Sequence, residues 1–311
     1  MEAWESAIAH PAGQPTPWAA DGYALRLSPM LENAAAFQWV GVENQGRGCE
    51  AVNKTKSFLR ARLNPTVYSA LSKTKQALWH SGNTSEPAQT DLGKLAEIGE
   101  PFSSVLRSMY SGQPQKGLDG QDHELRLDTR ISVEEGACLY RLCRDTKAER
   151  TMEIGCAYGF STLYFLAAIS ANPAATHTAI DPFESKGWAG IAVQNARAVG
   201  MGKSFRLIEE KSFLAVPRMI SDGTQYDVIF IDGNHRFDDT LVEFTLCGLT
   251  CKMGGYILLD DMWMPSIRKA VSFVRRNRRD FSEVTMPVLN LAAFQRVAED
   301  KRDWDHFEDF Q

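Results

Sequence analysis

The sequence predicts an α/β fold for residues 121–311, with a doubly wound, mostly parallel sheet, and a mostly helical region over residues 1–120. Two observations support this prediction. After residue 120, short apolar segments alternate with helical stretches, and the apolar segments are continuous rather than alternating with polar residues. Strands with such continuous apolar runs are covered by helices on both faces, as in parallel sheets.

The first region has the pattern of amphipathic helices. Residues 64–80 and 90–110 carry apolar residues at helical spacing, and a polar segment, residues 81–89, separates them. Residues 111–124 are rich in glycine and polar residues and are predicted to be a loop. This region is therefore predicted to be helical with loop-like ends.

The second region begins with a helix, because Ser132 and Glu135 have the spacing of a capping box before an apolar-periodic run. Further helices are predicted over residues 159–170 and 187–200. The predicted strands are residues 150–155, 176–181, 205–209, 226–232 and 255–261. Residues 281–297 predict two more strands at an antiparallel edge, which completes a Rossmann-like sheet.

Composition excludes several classes of protein. The chain is 44% hydrophobic and 23% charged, and its net charge of −5 argues against nucleic acid and anionic membranes as partners. No apolar run approaches the roughly 20 residues that span a bilayer. A basic run is predicted to be a solvated helix face rather than a phosphate site. Its residues are Arg268, Lys269, Arg275, Arg276, Arg278 and Arg279.

The cysteines favour a reducing compartment. They form no CxxC pair, and several lie in apolar contexts, so reduced and buried thiols are expected. They are Cys49, Cys138, Cys143, Cys156, Cys247 and Cys251. The first residues carry no basic segment followed by an apolar core, which argues against a secretory signal. We expect a cytoplasmic location.

Ligands of such sheets bind at the carboxyl ends of the strands. The first predicted strand of this sheet leads into "EIGCAYGFS", residues 153–161. Gly155 and Gly159 in this segment permit close approach of a ligand. Asp181 ends the second strand, where an acid accepts hydrogen bonds from ribose hydroxyls. The spacing differs from that of dinucleotide and phosphate loops. Together these features predict a nucleoside-containing cofactor.

Acidic residues follow the fourth and fifth strands. Asp232 ends "YDVIFID", and Asp260 and Asp261 end "GYILLDD". Neighbouring strands are about 5 Å apart, so the three carboxylates repel one another unless a cation lies between them. Oxygen ligands suit Mg²⁺, with Mn²⁺ or Ca²⁺ as alternatives. His235, in the loop after Asp232, suits a general base because an unperturbed imidazole has a pKa of about 6.5.

Two further pairs of residues follow these acids in the sequence. Asp238 and Asp239 fall at the start of the next predicted helix, where negative charge favours the helix dipole, so both are predicted to be structural. Trp263 and Met264 follow the acids of the fifth strand. They either border the pocket of a substrate or belong to the core.

The motifs "EIGCAYGFST", "AIDPF", "FIDGNH" and "GGYILLDD" together resemble the class I S-adenosylmethionine-dependent methyltransferases over residues 121–297. The resemblance implies S-adenosylmethionine as cofactor, with its ribose held by Asp181. Asp232 would border the same cofactor. The methionine half would be surrounded by Glu153, Gly155, Ala157, Gly159 and Ser161. The family's adenine motif is replaced by Glu210 and Lys211, with Ser212 contributing its backbone.

Within that family, "DGNH" followed by "LDD" is similar to metal-dependent O-methyltransferases that act on sugars and natural products, such as the macrocin and mycinamicin enzymes. This implies methyl transfer to a hydroxyl of a small-molecule acceptor. Asp232, Asp260 and Asp261 would bind a divalent cation, and His235 would be the base. Residues 1–120 would shape the acceptor pocket or form a contact in a homo-oligomer.

Two alternatives remain at this stage. A cephalosporin hydroxylase resembles the same branch and shares its metal pattern, so the site is also compatible with hydroxylation. A cofactor-binding subunit without catalysis is the other alternative, and the replacement at Glu210 and Lys211 supports it. Fold alone does not decide among these functions.

Overall fold

The computed structural model describes residues 92–310, which belong to a compact unit of residues Thr84–Gln311. Residues 92–120, the described part of the predicted first region, are thus in the same unit as the sheet. The predicted helix over residues 64–80 lies outside the described residues. The strands are β1 (Gln115–Lys116), β2 (Asp122–His123), β3 (Arg150–Ile154), β4 (Thr176–Ile180), β5 (Phe205–Ile208), β6 (Tyr226–Ile231), β7 (Cys251–Leu259), β8 (Phe281–Val284) and β9 (Ala292–Arg296).

The main sheet has seven strands in the order β5-β4-β3-β6-β7-β9-β8. The pairs from β5 to β7 are parallel, whereas β9 pairs antiparallel with both β7 and β8. Strand order reverses beside β3, so the ends of β3 and β6 form the crevice where ligands bind in open α/β sheets. The predicted fold, including its antiparallel edge, is confirmed. Within the predicted loop, β1 and β2 form a short hairpin.

Helices cover both faces of the sheet. They are α1 (Phe102–Tyr110), α2 (Val133–Asp145), α3 (Phe160–Ile169), α4 (Glu184–Gly187), α5 (Ile191–Ala198), α6 (Ser212–Ser221), α7 (Phe237–Thr250) and α8 (Pro265–Asn277), with 3-10 helices at Leu92–Ile98 and Leu127–Thr129. The capping box of α2 is confirmed. Glu135 donates its backbone N–H to Ser132 Oγ at 3.1 Å, and its carboxylate accepts the Ser132 N–H at 2.6 Å.

One predicted helix, over residues 90–110, is wrong as a single element. The structure has a 3-10 helix, Leu92–Ile98, followed by α1 from Phe102. Gly99 between them has a φ of +78°, which is outside the right-handed helical region. Pro101 lacks a backbone N–H and so cannot continue the hydrogen-bond ladder of a preceding helix.

Strand residues alternate between two apolar cores. Phe230 and Leu258 point to the core beneath α2 and α3, whereas Ile229 and Ile257 point to the core beneath α7 and α8. Every residue of α3 is buried. Gly136 lets α2 approach α3, because a Cβ there would lie 2.1 Å from the Tyr164 ring.

The basic run and the cysteines were the other features with a predicted structural role. In the basic run of α8, Arg275 pairs with Glu283, and Arg279 beyond the helix pairs with Glu308, so these charges have protein partners. Every described cysteine is a buried free thiol, as predicted, while Cys49 lies outside the described residues. No helix between residues 92 and 310 is long and apolar enough to cross a membrane.

A Gly155→Ala variant tests how closely β3 and β6 meet at their carboxyl ends. Gly155 has a φ of +86°, and an added Cβ would lie 2.0 Å from the carbonyl oxygen of Asp232. We expect the free energy of unfolding, measured with urea, to fall by about 3 kcal/mol.

The control is Gly223→Ala, because Gly223 also has a positive φ, +66°, but has nothing within 4 Å of the added Cβ. This variant should lose only about 1 kcal/mol. Equal losses in the two variants would show that backbone strain alone, and not the contact with Asp232, limits position 155.

Candidate functional site

A cavity of about 690 Å³ lies at the carboxyl ends of the parallel strands. Its walls come from the loops after β3, β4, β5 and β6, together with the segment that precedes α2. The cavity is therefore at the crevice that the strand order predicts.

The loop after β3 is held by Asp181. One carboxylate oxygen of Asp181 accepts the backbone N–H groups of Cys156 at 3.1 Å and Ala157 at 3.0 Å, and the other accepts the N–H of Phe183 at 2.9 Å. Ala157 has a φ of +45°, so this bonding stabilises a conformation that non-glycine residues rarely adopt. Asp181 and Ala157 both line the cavity.

Glu153 lies behind the cavity wall and is fully buried. It accepts hydrogen bonds from the hydroxyls of Ser161, at 2.5 Å, and Thr162, and His177 Nε2 lies 3.0 Å from its carboxylate. Ser161 lines the cavity, so Glu153 supports that wall instead of lining it. Gly159 is also behind the wall, where its lack of a Cβ admits Ala192.

The loop after β5 brings Lys211, Ser212 and Phe213 to the cavity. Ser212 begins α6 and donates its hydroxyl to Glu243 Oε1 at 2.7 Å. Glu210 forms an ion pair with Arg218. Glu210, one of the two residues that stand where the resemblance places an adenine motif, thus has a partner within the protein.

His235 lies between two carboxylates. Its Nε2 is 3.1 Å from Asp232 Oδ1 and 2.9 Å from Asp261 Oδ2, and one ligand atom from each of the three residues lies within 4.8 Å of the others. Asp261 has a φ of +61°, and its other oxygen accepts the indole N–H of Trp263 at 2.6 Å. Two of the three predicted metal ligands are therefore side by side, with the predicted base between them.

Asp260, the third predicted ligand, is outside this group of three. Its Oδ1 accepts the backbone N–H of Asp261 at 2.7 Å and Asn290 Nδ2 at 2.8 Å. Asn290 also donates to Glu135 Oε1 at 2.7 Å. Asn290 was not among the predicted site residues, although a polar residue two positions before the apolar strand β9 was a usable signal.

Burial raises the pKa values of both Asp232 and Asp260. Burial would also raise the pKa of Asp261, but the hydrogen bond from His235 holds it below its usual range. For His235, burial favours the neutral ring, yet hydrogen bonds to Asp232 and Asp261 raise its pKa to about 10. A buried, oxygen-rich donor set of this kind fits a hard divalent cation.

The remaining predicted residues have structural positions. Asp238 and Asp239 lie in the first turn of α7, as predicted. Asn234 donates its side-chain amide to Asp239 at 2.6 Å, which ties the loop of His235 to that helix. Trp263 contacts the site through Asp261, whereas Met264 packs against the core beneath α8.

Comparison with known proteins agrees with this fold. Residues 152–262 match the sequence family described as "Methyltransferase domain". No curated protein matches the chain. Among solved structures, cofactor-bound Rv0187 from MTB shares 14% identity, covers 68% of this chain and 98% of its own, and has a TM-score of 0.52. A putative O-methyltransferase from Klebsiella pneumoniae shares 16% sequence identity and has a TM-score of 0.51. The match covers 64% of this chain and 91% of the Klebsiella chain. These structures have the same fold.

In metal-free protein, we expect His235 to titrate at a pH of about 10, because both neighbouring carboxylates stabilise its charged form. Long-range ¹H–¹⁵N NMR of labelled histidines measures this directly. An Asp261→Asn variant should lower the titration midpoint, and a wild-type midpoint near the unperturbed value of about 6.5 would contradict the described geometry.

The raised pKa also predicts a pH dependence of stability. His235 binds its proton more tightly in the folded protein, so its contribution is fully present below the unfolded pKa of about 6.5 and is lost as pH rises through about 10.

Proposed function

We propose that the chain is a class I S-adenosylmethionine-dependent methyltransferase, and that it transfers the cofactor's methyl group to a hydroxyl of a small molecule, a natural product or a sugar. The observation that carries this proposal is the position of His235, between Asp232 and Asp261 at the cavity. The likeness of "DGNH" and "LDD" to enzymes acting on sugars and natural products supports this class of acceptor.

Residues of the first two loops would bind the cofactor. Ser161 uses its hydroxyl proton to bond Glu153, so it offers lone pairs to the methionine ammonium group. Asp181 uses three of its about four lone-pair sites on backbone N–H groups, which leaves capacity for a ribose hydroxyl. Gly155 and Ala157 line the cavity beside Ser161 and Asp181, so the cofactor would pass close to their backbone.

A divalent cation, Mg²⁺ by the chemistry of its donors, would be held by Asp232, Asp260 and Asp261. Asp232 Oδ1 and Asp261 Oδ2 converge on the same His235 nitrogen, at 3.1 and 2.9 Å, and Asp260 is buried beside Asp261, so this arrangement of carboxylates fits a cation. The Asn290 amide donates to Oδ1 of Asp260, so the other carboxylate oxygen of Asp260 would be the one that binds the cation. When bound, the cation would lower the pKa of a hydroxyl of the acceptor.

His235 would then act as general base. A cation held by Asp232 and Asp261 would offset the negative charge that raises the pKa of His235, and burial would then favour the neutral imidazole. A neutral imidazole can take the proton of the acceptor hydroxyl. The oxygen attacks the methyl carbon as the carbon–sulfur bond breaks, and S-adenosylhomocysteine leaves.

The cation site is tested by calorimetric titration of chelator-treated protein. We expect the wild type to bind S-adenosylmethionine and Mg²⁺, and an Asp261→Asn variant to lose the Mg²⁺ heat while keeping most of its cofactor affinity. Asp145→Asn, a change at an exposed residue at the end of α2, serves as control. Loss of cofactor binding with retention of Mg²⁺ would assign Asp261 to the nucleoside site.

The base is tested by turnover with a panel of hydroxylated acceptors. His235→Ala should reduce turnover by about 10² to 10⁴ when it removes a general base. His123→Ala is the control, since His123 pairs with Asp119 in the hairpin loop. The product should gain one methyl group with release of S-adenosylhomocysteine, which excludes hydroxylation. An unchanged rate and pH profile in His235→Ala would remove His235 from the mechanism.

A further inference from the structure

Glu243, on α7, has one carboxylate oxygen without a donor. Its side chain is 5% exposed and borders the cavity. Oε1 accepts the Ser212 hydroxyl at 2.7 Å, whereas Oε2 is buried and has no hydrogen-bond partner among residues 92–310. An unpaired buried carboxylate oxygen is costly, and such atoms normally have a donor. A ligand in the cavity can supply that donor.

The strand order indicates which part of the cofactor comes near Glu243. Ser161 follows β3, Asp181 follows β4, and Ser212 follows β5, and these strands are consecutive in the sheet. A cofactor with its methionine at Ser161 and its ribose at Asp181 therefore places its base towards Ser212. Glu243 contacts Ser212 through Oε1, and its carboxylate also lies beside Gly233 of the loop after β6. All three residues line the cavity, so the carboxylate is within reach of a base that points towards Ser212.

Two aromatic residues of neighbouring loops, Phe183 after β4 and Phe213 after β5, line the cavity with apolar rings. The Lys211 ammonium lies over the Phe213 ring, 5.5 Å from its centroid, and Glu210 pairs with Arg218. Glu210 thus has its own partner, Lys211 lies against the Phe213 ring at the cavity wall, and the pair of Ser212 and Glu243 is a further polar feature of that wall.

We propose that Glu243 Oε2 accepts a hydrogen bond from the exocyclic amino group of the cofactor's adenine and determines specificity for that base. This rests on S-adenosylmethionine being the cofactor of the proposed function. The Ser212 hydroxyl orients the carboxylate by donating to Oε1. Against the ionised carboxylate, which predominates above its burial-raised pKa of about 7, a base with a carbonyl in place of the amino group, such as hypoxanthine, would place one hydrogen-bond acceptor against another.

Calorimetric affinities for S-adenosylhomocysteine and S-inosylhomocysteine test the proposal. The wild type should prefer the adenosyl compound by roughly 10-fold to 100-fold, as expected for an unpaired buried acceptor. In Glu243→Gln, the Ser212 hydroxyl would orient the amide so that its NH₂ replaces Oε2. This variant should bind the adenosyl compound more weakly and the inosyl compound more tightly, which reduces or reverses the preference.

Glu184→Gln is the matched control. Glu184 is also fully buried, bonds the Ala192 N–H through Oε1, and has an unpaired Oε2, but it does not line the cavity. This variant should keep the wild-type preference.

A wild-type preference retained in Glu243→Gln would overturn the assignment of Glu243 while leaving the proposed function intact. If that variant does not fold, the wild type alone decides, because equal affinities for the two compounds would also overturn the assignment. No binding of S-adenosylhomocysteine by the wild type would overturn the proposed function as well.

Discussion

Parallel strands end at one edge of their sheet, and the rest of this site depends on that constraint. Glu153, Asp181, Asp232 and Asp260 all lie at or just beyond the carboxyl ends of β3, β4, β6 and β7. Carboxylates collected in this way repel one another and lose hydration. Each therefore needs a donor, and the identity of the donor separates structural acids from those available to a ligand.

Two of these acids are satisfied by the protein. Glu153 accepts hydrogen bonds from Ser161 and Thr162 and contacts His177, which fixes the cavity wall at Ser161. Asp181 accepts backbone N–H groups and fixes the loop after β3. These bonds shape the cavity before a ligand binds, so less ordering is needed at binding.

Other acids are less completely satisfied. Asp232 and Asp261 share the imidazole of His235, although Asp261 also accepts the indole N–H of Trp263, and Glu243 has an oxygen without a donor among the described residues. These are the places where a cation and the cofactor's base are proposed to bind. The pairing with Asp232 and Asp261 raises the pKa of His235 and favours its protonated form, so the proposed role of His235 as a base requires the two carboxylates to bind another partner.

The sequence by itself determined the parallel sheet, the strand ends that carry Asp181, Asp232 and Asp260, and the capping box of α2, because these follow from local periodicity and neighbouring residues. Only the tertiary structure decided which donor meets each acid. Asn290 reaches Glu135 across 155 positions of the chain, and Glu243 meets Ser212 across 31. Such pairs form because strand order and helix packing bring distant segments together, and local sequence patterns carry no record of that proximity.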